Sequence, residues 1–134
     1  MLRTIHPTWI AFGWFIAAAV TAFILLAFAA WDAAPVGADF PLGGGAAACF
    51  AGFLIGGFFA GWRARGAPVL HGVGIALCSL VIAIIANLAF GEPLKQTAWP
   101  PVGELMLLLG VQLIAAVLGA YSAIRWRRGA GVSG

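Results

Sequence analysis

Asn87, Glu104 and Gln112 interrupt apolar sequence where polar groups are costly. A carboxyl group beside two carboxamides is a set that can hold a cation or relay a proton, and ionisable groups at membrane depth are functional candidates by default. The spacing places them. Glu104, Leu108, Gln112, Ala115 and Gly119 follow i, i+4, i+8, i+11 and i+15, which is one face of a helix. Asn87 continues a line of small residues, Gly72, Ala76, Ser79 and Ala83, on the preceding segment. At about 1.5 Å rise per residue, Glu104 and Asn87 both lie roughly one turn inside the same end of their helices, so a contact between them is expected. A second reading uses the same residues structurally. Glu104 falls in the first turn after Pro100-Pro101, where a carboxylate favours the helix dipole and meets free backbone N–H groups. Gln112 and Asn87 then act as hydrogen-bonding glue between helices.

His71, with Gly72 leaving room beside its imidazole, is a candidate ligand for a haem or chlorophyll. Neither a second axial histidine on the same span nor a C-x-x-C-H segment accompanies it, so the expectation is no cofactor. Cys49 and Cys78 lie in separate apolar runs without zinc-ligand spacing, and buried thiols behave as small hydrophobes, so no metal is expected either. There is no G-x-S-x-G, P-loop or H-E-x-x-H pattern. With no acid–base pair in the apolar runs, the reading is not an enzyme.

The elements that must position these residues follow from charge. Seven Lys/Arg and four Asp/Glu are all the charges in 134 residues, and the mean hydropathy is +1.07. They fall into gaps between four apolar runs, residues 8–30, 42–62, 68–90 and 101–124. A hydrocarbon core of about 30 Å needs roughly 20 apolar residues in a helix, and each run is long enough. Backbone groups in lipid must bond internally, and runs apolar on every side lack the alternation of barrel strands. The fold class is therefore all-α: a polytopic membrane protein of one transmembrane domain, residues 1–134, with four helices in a bundle. Pro and Gly in 31–41 and 91–100 are turn chemistry, and Arg63 to Ala67 is a short basic turn. No gap leaves room for a soluble domain. An A-x-A sequence at 27–29 resembles a cleavage site, but the preceding run is too long for a signal peptide, so no cleavage is expected.

Arg3, Arg63, Arg65, Arg125, Arg127 and Arg128 flank the N-terminus, the middle turn and the C-terminus, which four spans put on one side; Lys95 alone lies opposite. The Lys/Arg bias predicts a multi-pass protein of the inner (plasma) membrane with both termini cytoplasmic. Trp9, Trp31, Trp62, Trp99 and Trp126 fall near span ends as an aromatic belt, while Trp14 lies further in. The basic residues are few and divided, so the expected partner is the lipid bilayer and not a nucleic acid.

Small residues at helical spacing mark where membrane helices touch, because close van der Waals contact replaces the hydrophobic drive. Gly44, Ala48, Gly52, Gly56 and Ala60 recur at every fourth residue, with Gly57 and Gly61 in a second row. Ala115, Gly119 and Ala123 repeat the face in the fourth run. The second helix should be central, touching a neighbour backbone to backbone within the bundle or in a homo-oligomer. Residues 55–67 (IGGFFAGWRARGA) and 118–130 (LGAYSAIRWRRGA) align at an offset of 63 and suggest a parallel tandem repeat of a helical hairpin.

The run Gly56-Gly57-Phe58-Phe59-Ala60-Gly61-Trp62-Arg63-Ala64, with Gly66 and Leu70-His71-Gly72, resembles a signature of small bacterial four-helix membrane proteins of unknown function. In these, GG-x-x-A-G closes the second helix and Leu-His-Gly opens the third. Trp62 departs from the pattern, standing where an arginine would follow the Ala-Gly pair. The resemblance covers the middle hairpin and implies architecture without an activity. The expected function is a structural or assembly role, as a homo-oligomer or a subunit of a larger membrane complex. The alternative is a small oligomeric channel or an ion- or proton-coupled transporter using Asn87, Glu104 and Gln112.

Overall fold

The computed structural model describes residues 6–31, 42–64, 66–96 and 101–131. They form four helices, α1 (Pro7–Trp31), α2 (Leu42–Arg63), α3 (Pro68–Gln96) and α4 (Val102–Gly129), each long and apolar enough to cross a membrane. Pro7 and Pro68 open α1 and α3 at the first helical position, where a missing N–H loses nothing. α3 runs past the expected end at residue 90 but breaks its geometry there, with Phe90 at φ −127°, ψ 21°. Pro93 explains the break, since it cannot donate to the carbonyl of Ala89 four residues back. α4 carries on through its arginines. Ala130 N–H bonds Trp126 O, and Gly131, at φ 66°, takes the left-handed conformation that terminates helices.

The helices run in alternating directions, and the contacts give the register. Gly57 and Gly61 meet Ala116 and Ala120, so α2 and α4 lie parallel. Gly74 meets Ile10 and Gly13 meets Ile75, so α1 and α3 lie parallel. α2 touches all three other helices and packs most extensively on α4, then on α1. α3 leans on α4, and no contact joins α1 to α4 among the described residues. The parallel pairing is what a doubled hairpin would give. The packing is not symmetric: α2 touches α3 across the bundle whereas α1 stays clear of α4.

The small residues of α2 divide between two neighbours. Gly52, Gly56 and Ala60 face α1, and a Cβ on Gly56 would collide with the carbonyl of Gly13. Gly57 faces α4 so closely that a Cβ would strike the carbonyl of Ala116, and Gly119 approaches the Leu54 carbonyl of α2 in the same way. The glycine face expected to serve either the bundle or an oligomer is thus occupied within one chain. Gly44, first of the series, is only half-buried, and flanking Gly43 and Gly45 face open space.

The core sits toward one end. Gly13 and Ala17 of α1, residues 56–64 of α2, His71 to Ala76 of α3 and Ala115 to Ala123 of α4 supply most of the buried positions, and Ala48, Cys49, Gly52 and Phe53 of α2 carry the burial on toward the middle of the bundle. The first four stretches share the end that carries Arg63, Arg125, Arg127 and Arg128. Beyond them, toward Trp31 and Val102, side chains grow larger and more exposed: Leu26 and Leu88 are 67% and 83% accessible, as residues touching lipid would be.

A candidate intramembrane site

Polar side chains within the spans bond across helix pairs at successive levels. At the arginine end, His71 is fully buried. Its Nδ1–H donates to Ala67 O at 2.9 Å, and its Nε2 accepts the backbone N–H of His6 at 3.2 Å. With the Nδ1 proton directed at Ala67 and Nε2 accepting, the imidazole ties the start of α1 to α3. The lone pair a haem or chlorophyll would need is already accepting a hydrogen bond, and no group of three His, Cys, Asp or Glu could hold a metal among the described residues.

At the same end, Arg127 reaches from α4 to donate to Gly61 O at 2.9 Å and Ala64 O at 3.3 Å. The last carbonyls of a helix have no partner within it, so a cation placed there satisfies them and complements the dipole. Arg63 lies over the Trp9 ring, 4.8 Å from its centre, joining α2 to α1. The arginines read from sequence as topology markers therefore also bind helix to helix.

Further from that end, Trp14 Nε1–H donates to Ser79 Oγ at 2.9 Å, linking α1 to α3. Thr21 Oγ1 donates to Ala48 O at 3.4 Å, linking α1 to α2. Gln112 Nε2–H points at Cys49 Sγ at 3.8 Å, linking α4 to α2. Here the helices separate around a cavity of about 340 Å³ to which all four contribute. Trp14, Phe53 and Ser79 lie at the end nearer the core, and Leu25, Ala86 and Leu105 at the other. Cys49, Thr21 and Gln112 stand between, and the remaining lining is aliphatic. Among the described residues, Gln112 Oε1 is the one buried side-chain polar atom without a hydrogen-bond partner.

The three residues singled out for ion or proton chemistry are not assembled. Gln112 is in the cavity wall. Glu104 sits half-buried in the first turn of α4, one residue outside the lining. Asn87 is exposed, and no hydrogen bond joins it to Glu104. Its displacement has a geometric cause: at 3.6 residues per turn, each four-residue step overshoots by about 40°, so a line followed from Ser79 through Ala83 has left the interior by Asn87. Ala86, one residue earlier, faces the cavity instead. The sequence marks Ser79 and Trp14 without joining them, and no pattern in it marks Thr21, or Ala116 and Ala120, the residues that meet Gly57 and Gly61. Comparison with known families, with curated proteins and with solved structures finds no match.

Proposed function

We propose that this chain is a structural subunit of a membrane assembly, multi-pass in the inner (plasma) membrane, with both termini cytoplasmic. One observation carries the reading: the polar side chains of the spans that hydrogen-bond across the bundle join one helix to another, at levels from His71 to Gln112. That distribution suits a rigid building block. The orientation rests on Arg63, Arg125, Arg127 and Arg128, which the parallel course of α2 and α4 gathers at one end.

The reading is tested on native membranes dissolved in mild detergent. The expected result is a species of defined size well above one 13.8 kDa chain, retaining the same partner or copy number through purification. A lone chain under conditions that preserve other membrane complexes contradicts it. Reconstituted into liposomes, the protein should pass protons at background rate, and Glu104→Gln should leave that rate unchanged. Proton flux abolished by Glu104→Gln would replace the structural reading with transport.

A further inference from the structure

We infer that the cavity among the four helices is a binding site for an uncharged, mostly hydrocarbon molecule carrying a hydroxyl group. The inference goes beyond the assembly reading and does not depend on it.

Size and lining define the class of ligand. About 340 Å³ lies in the range of small-molecule pockets and holds a chain of roughly ten carbons. The wall is aliphatic and aromatic over most of its area, and no charged side chain belongs to it. A carboxylate or ammonium group would enter without a counter-charge, at several kcal/mol, so the ligand is neutral.

The polar atoms define its head group. Gln112 stands in the wall with one end of its amide directed at Cys49 Sγ and the other without a partner. A buried polar atom left unpaired is a standing penalty that an occupant can remove. The amide's oxygen and nitrogen are nearly isosteric, so the unpaired end is an acceptor in one orientation and a donor in the other, with Cys49 S–H then donating to the oxygen. A hydroxyl answers either arrangement, whereas a ketone or an ether answers only one. Oε1 is closed off from the cavity in this rotamer, and a turn of the amide about its terminal bond, a broad torsion, is required to present it to an occupant. At the deeper end Ser79 Oγ accepts from Trp14, so the remaining polar atom of the lining there is already partnered. α1 and α4, which do not touch, leave the bundle less closed on that side, facing the hydrocarbon phase from which such a ligand partitions.

The test uses the full chain in phosphatidylcholine nanodiscs with a ten-carbon primary alcohol bearing a mid-chain diazirine. After photolysis, labelled residues are located by peptide mass spectrometry, with decanol and decane competing at equal membrane concentration. Saturable labelling is expected within residues 14–25 and 105–112. Decanol should compete about threefold to tenfold better than decane, the advantage of one net hydrogen bond. Gln112→Leu should erase that advantage while labelling persists, and Ala83→Phe, which fills the cavity, should abolish labelling. Ala18→Leu serves if the larger substitution prevents folding. Labelling that concentrates on outward residues such as Phe23 and Leu88, resists both cavity-filling variants, or is displaced equally by decane and decanol overturns the proposal. Because it reads occupancy of one chain, a negative result leaves the native-complex experiment above unaffected.

Discussion

The two halves of the bundle are built from the same kind of helix and behave differently. Near the arginines, Gly56, Gly57 and Gly119 let backbones touch, and Ala116, Ala120 and Ala123 fill what remains. Toward the other end, Leu25, Ile82, Leu105, Leu108 and Leu109 line an open cavity. Both halves are apolar, so hydrophobicity does not distinguish them. Side-chain size does: in lipid, contact between helices is limited by how closely their backbones approach. Polar bonding also differs. At the arginine end His71 and Arg127 reach backbone groups of neighbouring segments and Arg63 covers the Trp9 ring, while beside the cavity Trp14 with Ser79 and Gln112 with Cys49 pair side chain with side chain and Thr21 reaches the carbonyl of Ala48.

Substitutions sharpen that contrast. The largest effect is expected from Gly57→Leu, which drives a side chain into the Ala116 carbonyl. It should cost about 3 kcal/mol or more and prevent isolation of a folded protein, as seen by loss of the monodisperse peak in detergent. Arg127→Ala should cost about 2 kcal/mol by freeing the carbonyls of Gly61 and Ala64, measured by unfolding in mixed micelles. Arg127→Lys should recover part of the loss, since an ammonium retains the charge but not the planar fork. Trp14→Phe, in the looser half, should cost only about 0.6 kcal/mol by removing the bond to Ser79, the average for hydrogen bonds between membrane helices. If it equals Arg127→Ala in effect, the halves are not different in kind.

Spans and core packing were legible for separate reasons. Apolar length alone locates all four helices, because the bilayer fixes how many residues are needed. The two rows of α2 were readable since five small residues in register seldom have another purpose. Their partners were not: Ala116 and Ala120 sit in the ordinary run IAAVLGA, where no alanine announces which helix it will meet. Asn87 shows the limit of following a face by fours, since the line drifts around the helix and the helices themselves diverge. The hydrogen bonds of Arg127 and His71 could not be foreseen, because their partners are backbone atoms, which every residue supplies and no sequence pattern names. The cavity lies still further from view, as it depends on the angles between helices and not on the periodicity of any one.

The bundle is closed by backbone contact at the arginine end and open at the other, and α4 carries Gly103, Gly110 and Gly119 at three levels along it, ahead of Gly129 at its last residue. Gly103 and Gly110 face open space, and Gly119 lies against Leu54 and Phe58. The most direct measurement is unfolding in mixed micelles of the three single variants Gly103→Leu, Gly110→Leu and Gly119→Leu. The account predicts a step: the first two within about 0.5 kcal/mol of the parent chain, the third destabilised by about 3 kcal/mol or more. An equal loss at all three positions, or a loss at Gly110 that exceeds the loss at Gly119, would contradict it.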